Sequence, residues 1–516
     1  MSQDVQAINP VVPLDYPDPD VIRVGDTYYM STTTMHFMPG CEILRSYDLV
    51  NWEHATFVYH KLDSTPAQRL EGESNIYGKG MWASSLRHHE GKFYLIFAAN
   101  DTRKTYLYTT ENIEGPWEKS EIEGFYHDSS LLFDDDGRVY LVHGNRDVQL
   151  IELESDLSKP KENGVNRIVV SDRDNPNLAY EGAHFYKINN KYYLFLIRSL
   201  PDRWMRVEGC FVSDSIEGEF VGKDVLIDDR NYCGQGVAQG GIVDTPDGDW
   251  YAILFQDHGA VGRIPVLIPI SWQDDFPVFG VDGKVPTDFK TKSTRPDYVY
   301  QPLVNSDDFK TAYPNAYGLA PIWQFNHEPV TADYQINHEK GFFEIKTSKI
   351  TDQLLQTTNT LTQRMIFPNC AAEVTLDASQ LNDGDVAGFS ALQGAYGFAG
   401  ITKDSDKYYL IMKTKPLENL EMQSFDPNKL AEKEWERIEL DAPTVTLRIE
   451  ADFWEMKDET KFFYQKENEF VQIGPNHKVA FKLDHFVGCR FALFCYSTSE
   501  TGGAAQFSQF NYFLNK

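Results

Sequence analysis

Gly25-Asp-Thr-Tyr28-Tyr-Met opens a pattern that the chain writes five times. It returns as Gly91-Lys-Phe-Tyr94-Leu-Ile, Gly137-Arg-Val-Tyr140-Leu-Val, Asn190-Lys-Tyr-Tyr193-Leu-Phe and Gly248-Asp-Trp-Tyr251-Ala-Ile. In each case a Gly, once Asn, stands three residues ahead of a Tyr. These residues take the positive φ of a tight hairpin turn, and the aromatic and β-branched run behind them suits a half-buried strand. Successive anchors lie 66, 46, 53 and 58 residues apart, the size of a four-stranded antiparallel unit with its loops. A repeat of that length built from strands closes as a propeller, so residues 1–290 are read as a five-bladed β-propeller.

The same ruler locates a site. Nine residues before the Gly or Asn of the four later anchors stand Trp82, Asp128, Glu181 and Gln239, and seven before the first stands Asp18. Each begins the strand that enters its hairpin, so the five converge at one end of the central channel. Two facing carboxylates in such a channel are the minimum needed to cleave a glycosidic bond. One, protonated, gives its proton to the leaving oxygen; the other, ionised, attacks the sugar or activates water. A third carboxylate beside the acid keeps it protonated, because neighbouring negative charges resist forming together. Trp82 offers a face for a sugar ring, and Gln239 and Arg263 offer hydrogen bonds to hydroxyls. Phe37, in the loop 32–40, and His258, just past the fifth anchor, are further candidates for substrate binding.

The chain of 516 residues is too long for one core. Its 77 acidic against 48 basic residues give a net charge of −29, which repels phosphate backbones and anionic lipid. Nucleic acid and membrane are therefore not expected partners, whereas a neutral sugar is indifferent to this field. No hydrophobic run reaches membrane-spanning length and the amino terminus lacks a basic and apolar leader pattern, so a cytoplasmic location is expected. The six cysteines are scattered, without metal-binding spacing, and read as free thiols. Asp134-Asp-Asp136-Gly137 reads as an acidic hairpin turn rather than a calcium loop, since no Glu follows at the required spacing. After a linker at 291–304, residues 305–516 carry many short alternating segments, among them 341–345, 371–376 and 445–451, the signature of a two-sheet sandwich.

The residues themselves resemble a known family. Pro17-Asp18-Pro19, Val21-Ile22-Arg23, Asp48-Leu-Val-Asn-Trp52, Trp82-Ala-Ser-Ser-Leu-Arg, His127-Asp128-Ser-Ser-Leu and Glu181-Gly-Ala-His184-Phe-Tyr-Lys follow one another as in glycoside hydrolase family 43. That resemblance implies a five-bladed propeller that hydrolyses xylosides and arabinosides with inversion. It makes Asp18 the general base, Glu181 the general acid, and Asp128 the residue that orients the acid and raises its pKa. The second domain is similar to the concanavalin-like accessory sandwich of the family's β-xylosidase branch, through Asp307-Asp308-Phe309, Trp323-Gln-Phe-Asn-His327 and Leu361-Thr-Gln-Arg364. Such a sandwich closes the pocket and favours short substrates.

The expectation is thus an all-β, inverting, exo-acting enzyme that removes xylose from the non-reducing end of β-1,4-xylooligosaccharides. An α-L-arabinofuranosidase or exo-oligoxylanase is the nearer alternative. A non-catalytic sugar-binding propeller and a retaining fructosidase on a similar scaffold are the more distant ones. No cofactor is expected. Gln239-Gly240-Gly241 stands where many members place His before Gly-Gly, so an ion or water held there is not expected, with His258 the candidate to replace that His. A structural calcium in the sandwich is left open, but Phe507-Ser-Gln509-Phe-Asn511 has amides where relatives often carry aspartates. Oligomeric state is not legible. Finally Phe486, at a loop end before the core-like run 489–494, is expected to reach the propeller pocket and limit its depth; the competing expectation buries it in the sandwich or the interdomain seam.

Overall fold

The computed structural model describes residues 3–415, 432–483 and 485–514. Five four-stranded antiparallel sheets follow one another in chain order. The first blade contains Asp20–Val24, Thr27–Ser31, Gly40–Ser46 and Glu53–Tyr59; the last contains Ala238–Asp244, Trp250–Asp257, Arg263–Gln273 and Phe276–Phe279. All five anchor residues adopt the left-handed conformation the hairpins require: Gly25, Gly91, Gly137, Asn190 and Gly248 have φ of 63°, 80°, 83°, 63° and 88°. Of the tyrosines three residues on, four are buried and Tyr94 is half-buried; they help fill the space between blades, Tyr140 in one cluster with Tyr180 and Phe185.

Each blade is a continuous stretch of chain, so no exchanged strand closes the ring. The first and last blades meet directly, with Gly241 N–H donating to Pro19 O at 3.0 Å. A separate ribbon then staples the ends: Gln3–Ile8 pairs antiparallel with Asp288–Ser293. The buried Asn9 side chain donates to the carbonyls of Leu267 and Pro286 and accepts from Leu267 N–H. The second strand of this ribbon crosses the expected boundary between propeller and linker at 290/291; regular pairing continues to Ser293.

The rest of the chain is a two-sheet sandwich whose core includes Phe343, Phe389, Phe491, Phe507 and Phe510. Phe342–Lys346, Asn369–Gln380 and Thr444–Asp452 occupy the segments whose alternation marked them as strands. The two domains are joined more closely than a linker implies. Phe37–Met38 of the propeller pairs with Gln324–Asn326 and so adds an edge strand to one sandwich sheet. Ala260, Val261 and Ile264 of the propeller belong to the sandwich core. Beneath this seam a buried charge network fixes the domains together. Arg364 donates to Asp15 O and Glu42 Oε1, and Glu42 Oε2 pairs with His54 Nδ1.

Among the described residues the only helical elements are short 3-10 turns, and no helix is long and apolar enough to cross a membrane. All six cysteines are free thiols, with Cys233 exposed and the others buried.

Candidate active site

At the end of the channel where the first strands begin, four of the blades present a residue opposite the fourth position after the anchor Tyr. Trp82 N–H donates to Ala98 O at 3.2 Å, His127 O accepts from Gly144 N–H at 2.8 Å, Glu181 faces Ile197, and Ala238 faces Phe255. A uniform step of nine residues from the anchor therefore lands one residue late in the third and fifth blades. There the hairpin carries an extra residue: Leu132 pairs with Tyr140 and Val243 with Tyr251, against Tyr186 with Tyr193 in the fourth. Asp128 and Gln239 stand just past the equivalent positions, with φ of 46° and 55°, while Asp18, in the first blade, has 52°. Left-handed backbone at three non-glycine residues around one funnel is held by the sheets on either side, and it turns these side chains inward.

Asp18 is held alone. Its Oδ1 accepts from Arg263 Nη1 at 3.0 Å and its Oδ2 from Thr33 Oγ1 at 2.7 Å. The other two carboxylates form a separate cluster around a residue that the uniform step missed. His127 Nε2 lies 3.3 Å from Asp128 Oδ2 and 3.3 Å from Glu181 Oε2. Burial pushes the Asp128 carboxyl up, His127 pulls it back, and Glu181 and Asp18 push it further, to about 7. Burial opposes charge on His127, but Asp128, Glu181 and Asp18 outweigh it and bring the imidazole up to about 9. Two carboxylates that share one cationic neighbour cannot both ionise freely, so protons are held by the cluster as a unit. It is also the one place among the described residues where three groups of ligand type come within 4.8 Å of one another. The histidine nitrogen lies between one oxygen of each carboxylate and pairs with both.

Aromatic groups wall the funnel. Trp82 lies 6.0 Å from the His127 ring and 5.6 Å from Phe486. The Arg263 guanidinium lies over Phe486 at 4.3 Å. Phe486 is thus brought from the sandwich to the propeller site, half-buried with Trp82, Met35, Phe37 and Val487, and not into the sandwich core. Asp15 explains how it gets there: one oxygen accepts from Arg263 N–H and the other from Gly488 N–H, both at 2.8 Å. A Cβ on Gly488 would lie 2.2 Å from Val261 O, so only glycine allows this approach. Phe37 is fully buried beneath the Arg490 guanidinium, 3.5 Å from its ring centre, and backs the wall. Trp82 Nε1, Ser129 Oγ, Arg263 Nε and Arg263 Nη2 are buried without a protein partner, the donors and acceptors that hydroxyl groups would meet.

One candidate, His258, sits elsewhere than expected. His258 is stacked on Tyr232 at 4.3 Å and meets Phe367 edge-on at 4.4 Å, in the seam with the sandwich. Burial, with nearby Arg230, pushes it down to about 3, and its Nε2 pairs with Gln256. Its packing gives it a structural place in the seam. Gln239 is beside the site but buried: a Cβ on Gly182 would lie 2.7 Å from its Cδ, and its N–H donates to Glu208 at 2.6 Å. Below the funnel lies a network with no sequence signal of its own. Asp20, fully buried, accepts from Leu86 N–H and Arg87 Nη1 and pairs with His184 Nδ1 at 2.9 Å, while Arg87 also reaches Ser130. This plug ties the first four blades together across the channel.

Residues 7–277 match the family model of glycosyl hydrolases family 43, and 306–513 match the β-xylosidase C-terminal concanavalin A-like domain. The chain belongs to glycosyl hydrolases family 43. It is a glycoside hydrolase with a family 43 propeller and that family's accessory sandwich. A β-xylosidase of Formosa agariphila is 26% identical over 77% of this chain and 75% of its own length. A non-reducing end α-L-arabinofuranosidase of Bacteroides ovatus is 25% identical over 66% and 65%. Among solved structures, a bifunctional GH43-CE protein of Bacteroides eggerthii superposes with a TM-score of 0.89 at 39% identity; the alignment covers 99% of this chain but 64% of that one. The chain thus spans about two thirds of the length of several relatives.

Proposed function

We propose that this enzyme is an inverting, exo-acting β-xylosidase that removes xylose from the non-reducing end of β-1,4-xylooligosaccharides. The observation that carries the reading is that Asp18 is held by Arg263 and Thr33, whereas Asp128 and Glu181 are joined through His127. Asp18, fixed by Arg263 and Thr33, is in this reading the base that activates water. Glu181, tied through His127 to Asp128, is in this reading the acid that protonates the leaving oxygen. The first and fourth blades are not adjacent in a five-membered ring, which favours the wide spacing that leaves room for water between base and sugar.

Exo action is supported by the aromatic wall. Phe486 and Trp82, with Arg263 behind them, narrow the funnel on one side and suit a single terminal sugar ring. An α-L-arabinofuranosidase is the second reading, supported by the Bacteroides ovatus relative, since a furanose is of similar size. Proton NMR of the first-formed sugar tests the mechanism: a β-xyloside should release α-xylose, and initial release of the β-anomer overturns inversion. Product analysis on xylobiose against arabinosyl-xylooligosaccharide decides the substrate; faster release of arabinose would favour the second reading.

A further inference from the structure

Asp128 has no direct hydrogen bond to Glu181 among those resolved; what joins them is the imidazole of His127. We propose that His127 is the positioning residue of the general acid: its imidazolium, clamped between Asp128 and Glu181, orients the Glu181 carboxyl and stabilises the carboxylate left when the proton is given up. This rests on the reading of Glu181 as the acid and adds a residue to it.

Three observations carry it. His127 occupies in the third blade the position that Glu181 occupies in the fourth and Trp82 in the second, so the backbone aims it into the funnel as it aims them. A single nitrogen, Nε2, stands 3.3 Å from one oxygen of each carboxylate, which ties the orientation of one to the other. The surroundings favour charge on the ring. Asp128 lies beside it in sequence, Glu181 faces it from the fourth blade, and Asp18 adds a third negative charge from the first. Arg263, the nearest cation of the site, is already paired with Asp18. On its own blade His143 is pushed down to about 4 by burial and by His127, and so stays neutral. Trp82 completes the surroundings without a charge.

The chemical consequence is one of sign. Asp128 opposes ionisation of Glu181, and an imidazolium 3.3 Å from Glu181 Oε2 favours it. His127 offsets the effect of Asp128, so the carboxylate left after proton transfer is stabilised.

The test uses pH profiles of kcat/KM on the phenyl glycoside that the enzyme cleaves fastest. In His127→Gln the alkaline limb should move up, by about 1–3 units, because the cation that favours ionisation is gone. The same variant should lose more activity on the phenyl glycoside than on its 2,4-dinitrophenyl counterpart. An alkaline limb that stays put or moves down overturns the proposal, since a merely structural histidine would not raise it. A second measurement needs no variant: histidine-selective 15N NMR of the wild-type enzyme should show His127 with both ring nitrogens protonated at pH 7.5, and a neutral ring there overturns the proposal. Failure of Glu181→Gln to discriminate between leaving groups would strike the acid assignment instead, which keeps the two failures apart.

Discussion

Asp20 and Asp128 are two aspartates of one propeller channel, both buried, and their surroundings drive them in opposite directions. Around Asp20, burial works to raise the carboxyl, but Arg87, His184 and Leu86 N–H outweigh it and hold the group below the usual carboxylate range. Around Asp128, burial is joined by Glu181 and Asp18, and one imidazole does not balance them, so the carboxyl is pushed up to about 7. The first site has more donors than it needs and serves to hold blades together. The second has one cation for two acids, and acid–base chemistry needs that shortage. A buried charge alone does not mark function; the balance of its neighbours does.

The largest effect should follow from breaking the balanced site. Asp20→Asn leaves Arg87 buried without its counter-ion and should cost about 3–5 kcal/mol, measured by denaturant unfolding. A loss under ~1 kcal/mol would mean that the plug is not what joins the blades. The sign with pH follows from the depressed carboxyl. Its contribution is fully present above the unfolded value of about 3.9 and is lost as pH falls through the folded value. Destabilisation by Asp20→Asn should therefore fade only in strong acid.

Asp128→Asn should act in the other direction. Folding raises this carboxyl to about 7, so the native state loses stability as pH climbs from about 4 through 7. Removing the charge should raise stability at pH 8 by about 0.5–2 kcal/mol while lowering activity. The alkaline limb of the pH–rate profile should drop, by about 1–3 units, because Glu181 loses a neighbour that opposes its ionisation. An unmoved limb together with unchanged stability at pH 8 would place Asp128 outside the cluster's electrostatics.

The smallest effect belongs to the wall. Phe486→Ala removes a half-buried ring that packs against Trp82 and lies under Arg263, so its cost should fall on substrate binding. An aromatic contact of this kind is worth about 0.5–1.5 kcal/mol, up to roughly tenfold in KM. Stability should change by much less than the ~3–5 kcal/mol of a core phenylalanine. Lowered melting with unaltered kinetics would return Phe486 to the seam.

How much of this was legible in the sequence depends on the range of the interaction. The blades were, because a hairpin is local and its Gly or Asn must take positive φ; all five do. Asp18, Trp82 and Glu181 also follow from local phase. His127 escaped because the acidic turn of the third hairpin holds one more residue than the second or fourth, which shifts any fixed step by one. Only pairing partners reveal that. His258 looked like a pocket residue because it follows a blade strand, yet the partner that claims it, Phe367, comes from the other domain. The strand at Phe37–Met38 is two residues long and pairs with chain almost 290 residues away, so no periodicity announces it. The Asp20 plug joins residues from four blades and is equally silent in the linear order.

The division of the site into a lone base and a clustered acid is tested most directly by Glu181→Gln across leaving groups. A phenyl glycoside needs its oxygen protonated as it departs, and a 2,4-dinitrophenyl glycoside does not. General acid catalysis is worth about 10²–10⁴-fold, so kcat/KM on the phenyl substrate should fall within that range while the activated substrate keeps most of its rate. An equal loss on both substrates would contradict the account, because the carboxylate tied to His127 would then not be the proton donor.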